Sequence, residues 1–303
     1  GDEWIVNGQK VWTSLGQTAD LGMLIARTNP DAPKHQGITW FAIDMHQPGV
    51  EMRPLVEMTG HAMFNEVFMT DARVSNDAVI GDLNAGWAAA NTTLQNERAG
   101  LGAGGGTGGA GGATPGTVAG QLDLRAGDLV PQRPAGTTTK AGPARTSGSS
   151  MLTELARGLG KHTDPLVRQD LVRMYTLDTV GRLNAQRLKA TRAAGGDIRG
   201  MANISKLMMS DTVRLSRDLG LRLLGASGTL HGYTKEQRAA LDEATGNPVL
   251  GIVTGTALYA QAPPIYGGTD QIQRNIIGER VLGLPKEPNN DKTTPFSDLP
   301  KNQ

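Results

Sequence analysis

The hydrophobic pattern of this chain changes at Gly86, and that change predicts a fold with two structurally different parts. Before Gly86, short apolar runs such as residues 21–26 and 38–43 alternate with turn residues, a pattern typical of β-strands. Asn7-Gly8 separates two further runs and predicts a two-residue hairpin turn. The connections are too short for crossover helices, so we expect antiparallel pairing.

After Gly86 the apolar residues recur at helical spacing. The pattern predicts a first helix over residues 87–99, with later helices over 201–224 and 248–260. A last helix is expected to begin at Thr269, a favourable N-cap, with Asp270 in its first turn. Its predicted apolar face consists of Ile272, Ile276, Ile277 and Val281. The expected fold class is α+β: a partial antiparallel β-domain followed by an α-helical bundle.

A segment rich in Gly, Thr, Ala, Ser and Pro interrupts the helical part at about residues 101–150. Such a composition buries too little apolar surface to offset chain entropy, so we expect a mobile insertion. The predicted domain boundaries are therefore a β-domain at 1–85, a helical domain at 86–290 that contains the insertion, and a tail at 291–303.

Composition excludes several classes of function. The 303 residues carry a formal net charge of +1, which argues against a basic surface for nucleic acid. The chain has no cysteine, and its five histidines are scattered, so we expect no disulfide and no metal site. No apolar run approaches the roughly 18 residues of a membrane span. A Gly-x-Gly-x-x-Gly pattern at Gly100 follows helical sequence instead of a strand, which argues against a dinucleotide fingerprint.

Three segments together resemble motifs of the acyl-CoA dehydrogenases. They are Trp4–Ser14, which contains Val11-Trp12-Thr13-Ser14, then Leu223–Gly228, and Tyr266–Arg274, which reads Tyr-Gly-Gly-Thr-Asp-Gln-Ile-Gln-Arg. The resemblance implies an FAD cofactor and an acyl-CoA substrate. It places cofactor contacts at Trp12, Ser14, Arg222, Gly225, Ala226, Thr269 and Gln271, and substrate contacts at Arg98, Tyr266 and Gly268. It also implies that the family's N-terminal helical domain is lacking from this sequence.

The catalytic carboxylate of the family motif is replaced here by Gly267. Some members, the isovaleryl-type enzymes, carry this Glu on the first C-terminal helix, and Glu97 falls on that position. The resemblance therefore implies Glu97 as the base, while Gly267 keeps a backbone N–H that could hold the thioester oxygen. From helical spacing alone, Glu97 is more typical of a surface residue paired with a nearby Arg, and it is the glycine at position 267 that favours the base.

The resemblance leaves three functions open. The first is FAD-dependent α,β-dehydrogenation of an acyl-CoA thioester, with electron-transfer flavoprotein as electron acceptor, in a cytoplasmic homo- or hetero-oligomer, most often a tetramer. The second is a non-catalytic partner subunit of a heteromeric acyl-CoA dehydrogenase. The third is an acyl-CoA oxidase-like enzyme. By analogy, the combination of Glu at position 97 with Gly at position 267 favours a substrate with a branched or bulky acyl group, such as the substrates of actinobacterial steroid side-chain enzymes.

Overall fold

The structure is a computed structural model that describes residues 1–102, 148–289 and 291–300, with side chains for all of these except 95–102. The chain divides into two compact units. The first contains residues 1–97 with the short segments 233–235 and 282–303, and the second contains 98–232 and 236–281. Most of the expected mobile insertion lies outside the described residues. Its described ends, 101–102 and 148–150, are helical.

The first unit is built on five strands in two antiparallel sheets. They are β1 (Glu3–Ser14), β2 (Leu21–Arg27), β3 (Ile38–Asp44), β4 (Val50–Leu55) and β5 (Phe64–Ser75). The strand order is β1-β5-β4 in one sheet and β2-β3 in the other, so the expected antiparallel pairing is confirmed. Apolar side chains from both sheets form one core, which includes Leu24, Phe41, Ile43, Val67, Met69 and Val74.

The predicted hairpin at Asn7-Gly8 is wrong, because β1 runs through these residues without turning. Val6 pairs with Ala72 and Gly8 pairs with Met69, so the register shifts between them and forms a β-bulge. The Asn7 side chain exchanges two hydrogen bonds with Asp71 on β5, at 2.9 and 3.0 Å. A 12-residue partner strand therefore overrides the local turn preference of Asn-Gly.

Residues 295–299, near the end of the described chain, pack within the first unit. Phe296 donates its backbone N–H to Ala32 at 3.1 Å, and Ser297 donates to Pro30 at 3.0 Å. The Arg27 guanidinium lies 3.7 Å from the centre of the Phe296 ring, a cation–π contact. Residues 295–299 thus close over the loop that connects β2 and β3.

Seven helices occur in the described residues. They are α1 (Gly86–Gly102), α2 (Gly148–Gly158), α3 (Pro165–Ala193), α4 (Met201–Leu224), α5 (Lys235–Thr245), α6 (Leu250–Tyr259) and α7 (Asp270–Arg280). In the second unit, α2, α3, α4 and α6 share a core that includes Leu152, Leu155, Met174, Leu219, Leu223 and Leu250. A Cβ at Gly220 would lie 2.6 Å from Val253, so this glycine lets α4 and α6 approach closely. Within the described residues, no helix has the length and apolarity needed to cross a membrane.

The bounds of α4 were predicted correctly, and those of α1 and α6 agree within a few residues. The predicted apolar face of α7 is wrong at Ile272 and Val281, while Ile276 and Ile277 are half-buried. Ile272 is 47% exposed and Val281 is 45% exposed, whereas the buried residues of this helix are Asp270 and Gln273. The reason is the set of polar partners on α4 described below.

Candidate functional site

The motif residues Tyr266, Gly267, Gly268 and Thr269 form one turn before α7, which we call the glycine turn. Thr269 is the N-cap of α7, because its Oγ1 accepts a hydrogen bond from the Ile272 N–H at 3.2 Å. The predicted N-cap is therefore confirmed. Capping uses a lone pair of the hydroxyl oxygen, so its hydrogen can still be donated elsewhere.

Both glycines of the turn adopt left-handed backbone conformations, with φ of 64° at Gly267 and 85° at Gly268. A Cβ at Gly268 would lie 2.6 Å from the Gln273 amide nitrogen. Position 268 therefore requires glycine for both its backbone angles and the space available.

Gln273 lies beneath the glycine turn and holds it. Its side chain is fully buried, and its amide donates to the Gly267 carbonyl at 2.9 Å and to the Gly268 carbonyl at 3.3 Å. Its own carbonyl accepts from the Asn203 amide at 2.6 Å. One glutamine thus connects α4 to two successive peptide groups of the turn.

Asp270, the first residue of α7, is buried in an ionic cluster. Its carboxylate accepts from Lys206 at 2.8 Å, from Ser210 at 2.8 Å and from Arg214 at 3.0 Å. Burial by itself would raise the pKa of Asp270, but the hydrogen bonds from Lys206 and Ser210 and the Lys206 charge outweigh it and lower that pKa. The carboxylate therefore stays ionised, and it compensates the fully buried ammonium of Lys206.

The partners of Asp270 and Gln273 form a polar stripe along α4, made of Asn203, Lys206, Ser210 and Arg214. Their spacing of three, four and four residues places them on one face of the helix. Sequence reasoning missed this stripe, although four polar residues at helical spacing are visible in the chain. The spacing alone does not show what these polar side chains bind, because their partners lie on α7.

Tyr266 is held at the start of the turn from two sides. Its N–H donates to the Ala262 carbonyl at 3.1 Å, and its hydroxyl is hydrogen-bonded to that of Tyr259. Burial, together with the Tyr259 hydroxyl, raises the pKa of Tyr266, so this phenol stays protonated.

Trp12 and Ser14 lie at the end of β1, where the strand is irregular. The register with β5 shifts between Lys10 and Thr13, and Trp12 has a left-handed φ of 63°. Such a conformation is rare for a bulky residue and is typical of functional sites. The indole packs against Phe64 in a T-shaped arrangement, and Trp12 is 63% exposed.

Arg222, Gly225 and Ala226 lie at the C-terminal end of α4. The Arg222 side chain forms an ion pair with Asp170, and a short 3-10 helix spans Gly225–Thr229. Lys161 donates to the Leu223 carbonyl at 2.7 Å, which places a positive charge at the helix end. Asn203 and Arg222 are 19 residues apart. These two residues are therefore about 28 Å apart along α4, whereas Arg214, which contacts Asp270 next to the glycine turn, is eight residues, or about 12 Å, from Arg222.

The predicted base Glu97 and the predicted substrate contact Arg98 lie in α1, and their side chains lie outside the described residues. Gln271 is exposed on the first turn of α7. The structure thus brings together Tyr266, Gly267, Gly268, Thr269 and Gln271 in one segment. It places Arg222, Gly225 and Ala226 at a second location in the same unit.

Comparisons with known proteins identify the family. Residues 1–72 match the middle domain of acyl-CoA dehydrogenases, and residues 153–282 match the C-terminal domain of the same family. The acyl-CoA dehydrogenase IpdE1 of Mycobacterium tuberculosis is 34% identical over 291 residues, which are 95% of this chain and 61% of the relative. The chain belongs to the acyl-CoA dehydrogenase family, whose members are FAD-dependent flavoproteins. It spans 61% of the length of that relative.

Solved structures show the same fold. A steroid acyl-CoA dehydrogenase named Tcur3481-Tcur3483 aligns with a TM-score of 0.69 and 23% identity over 95% of this chain and 62% of its own. The ChsE4-ChsE5 complex from Mycobacterium tuberculosis aligns with a TM-score of 0.65 and 23% identity, over 95% of this chain and 63% of its own. The predicted α+β, acyl-CoA dehydrogenase-like fold is confirmed.

Proposed function

We propose that this chain forms part of an FAD-dependent enzyme that introduces a double bond between Cα and Cβ of an acyl-CoA thioester. In this proposal, residues 1–85 are the middle β-domain and residues 86–290 the C-terminal helical domain. The observation that carries the proposal is the intact glycine turn. Its backbone is held by Gln273, and its cap Thr269 is formed, although the turn has no carboxylate.

Proton removal at Cα is assigned to Glu97 on α1. A carboxylate beside Cα acts best as a general base when its pKa lies near the working pH. The Gly267 N–H donates to the thioester oxygen as negative charge develops there, which is stabilisation of the oxyanion type. Tyr266, Gly268 and Arg98 contact the substrate around these two groups.

The residues that would hold FAD fit an aromatic ring system with hydrogen-bonding edges. Trp12 offers an exposed indole, and Ser14 two residues later offers a hydroxyl. Thr269 has a hydroxyl hydrogen to donate, and Gln271 is exposed beside it. FAD, when bound, supplies the acceptor for the hydride that leaves Cβ.

Arg222, Gly225 and Ala226 are assigned to the FAD of a neighbouring subunit. They lie beyond the stretch of α4, from Asn203 to Arg214, that contacts the start of α7, which supports their assignment to a second flavin. An oligomer, with a second copy or with a related chain, therefore completes each site. Electron-transfer flavoprotein is the proposed electron acceptor, and the proposed location is the cytoplasm.

A non-catalytic partner subunit is the second candidate. It is favoured by Gly267, which removes the usual base, and by two structural neighbours that are named as pairs of proteins. One of these neighbours is named a steroid enzyme, so a bulky acyl group such as a steroid side chain is the proposed substrate class.

Glu97→Gln in the full-length protein tests the catalytic proposal. We expect the variant to keep its flavin absorbance per chain and to lose dye-coupled turnover of acyl-CoA by about 10²–10⁴-fold, as expected when a general base is removed. Glu243→Gln, at an exposed position on α5, is the matched control and should retain turnover. Flavin-containing Glu97→Gln protein with normal turnover would contradict the assignment. Wild-type protein that turns over only when a second chain is added would favour the partner subunit.

A further inference from the structure

Two adjacent glycines give the turn before α7 more conformational freedom than any other pair of residues would. If the Gly267 N–H is to hold a developing oxyanion, that freedom must be removed before the substrate arrives, because preorganised donors are the effective ones. No side chain at either position can do this. The restraint must therefore come from other residues.

The buried amide of Gln273 provides such a restraint. It donates to both glycine carbonyls, at 2.9 and 3.3 Å, so it fixes the two peptide groups that follow the Gly267 N–H. On the other side, Tyr266 is fixed through its N–H to Ala262 at 3.1 Å. The Gly267 N–H is thus enclosed between two anchored segments.

The orientation of the Gln273 amide is set by Asn203. The Asn203 amide donates to the Gln273 carbonyl oxygen at 2.6 Å, and this contact leaves the Gln273 nitrogen directed toward the turn. Both side chains are at least nine-tenths buried, so water does not compete for these contacts. A reversed Gln273 amide would place its oxygen against two carbonyl oxygens, which repel it.

We propose that Gln273, oriented by Asn203, is a positioning residue that holds the Gly267 backbone in its active geometry. This inference rests on the proposed function for its catalytic consequence. Its structural part, the restraint of the glycine turn, can be measured without flavin or substrate.

Hydrogen–deuterium exchange of the segment 262–272 tests the restraint. Gln273→Met keeps the length of the side chain but removes the donor. The Asp270 N–H donates to the Pro264 carbonyl at 3.0 Å, and we expect this amide and that of Tyr266 to exchange about tenfold faster, as for the loss of a buried hydrogen bond. Asn203→Asp should have a similar effect at a pH where the new carboxyl group is ionised, because a carboxylate only accepts hydrogen bonds and attracts the Gln273 nitrogen away from the turn.

Two controls separate positioning from general destabilisation. Val167→Ala on α3 removes buried apolar atoms far along the chain from the turn, and Gln261→Met makes the same chemical change at an exposed position. Neither should accelerate exchange selectively in 262–272. Equal acceleration in Val167→Ala and Gln273→Met would overturn the proposal, and so would unchanged exchange in Gln273→Met.

A kinetic measurement tests the catalytic consequence on the flavin-loaded enzyme. Gln273→Met should lower kcat about 100-fold with little change in KM, the size of effect expected from a small misplacement of a reacting group. Gln273→Glu should recover toward wild type as the pH falls, because only a protonated carboxyl group can donate to the turn. Faster exchange together with unchanged kcat would overturn the catalytic role. An inactive wild type would count against the proposed function and leave the exchange test decisive for the restraint.

Discussion

Replacing Asp270 with asparagine should destabilise the helical unit more than any other single change in its polar cluster. The carboxylate accepts from Lys206, Ser210 and Arg214, and Lys206 is fully buried. In Asp270→Asn the amide oxygen can still accept from Lys206 and Ser210, but the negative charge that compensates the buried ammonium is gone, and the new NH2 group faces Arg214. Breaking a buried pair in this way costs about 3–5 kcal/mol, because a buried charge is left uncompensated.

Lys206→Met should cost less than Asp270→Asn. In that variant Asp270 keeps Ser210 and the partly exposed Arg214, so its charge remains compensated. The double variant should be less destabilised than the sum of the two single variants, since it leaves no buried ammonium without its carboxylate.

Urea unfolding followed by far-ultraviolet circular dichroism measures these differences, and Asp211→Asn is the control. Asp211 is exposed and pairs with Arg214 at 2.8 Å, so its loss should cost at most about 1 kcal/mol. The reasoning would be refuted if Asp270→Asn cost no more than Asp211→Asn, or if Lys206→Met cost more than Asp270→Asn.

Two further predictions concern pH and the turn. The pKa of Asp270 is lowered from its ordinary value of 3.8, so the stability from this group is complete above that pH and is lost as the pH falls through the folded-state pKa. Wild type should therefore lose unfolding free energy on acidification below about pH 4 that Asp270→Asn does not lose, as acid titration by circular dichroism would show. Gly268→Ala should destabilise by more than about 1 kcal/mol in urea unfolding, since φ is 85° and the new Cβ meets Gln273, whereas Gly158→Ala, within α2 and with open space, should be tolerated.

Local patterns predicted much of the fold. The bounds of α4 and the N-cap Thr269 follow from helical spacing and from hydrogen bonds between neighbours in sequence. The hairpin at Asn7-Gly8 failed because β5, about 60 residues later, supplies a continuous partner for β1. A prediction succeeded where contacts between sequence neighbours determine the structure, and it failed where a strand distant in sequence determines it.

The sequence predicted only those residues of the candidate site that belong to a recognisable family motif. The glycine turn and Trp12 were identified by resemblance, but the residues that hold the turn were not. Asn203 and Gln273 are 70 residues apart, and each by itself is an ordinary polar residue on a helix. Burial of Asp270 and Gln273 instead of Ile272 could not be inferred, because it depends on the polar stripe of α4 lying opposite.

In the proposed mechanism, Glu97 removes the proton at Cα, while Gly267 supplies only a backbone N–H. Deuterium incorporation tests this assignment, because exchange of the Cα hydrogen needs the base but no turnover. Wild-type protein in deuterium oxide should incorporate deuterium at Cα of a bound acyl-CoA analogue that cannot be oxidised at Cβ, and Glu97→Gln should not. Equal incorporation by the two proteins would contradict the assignment of Glu97 as the base and would require another base.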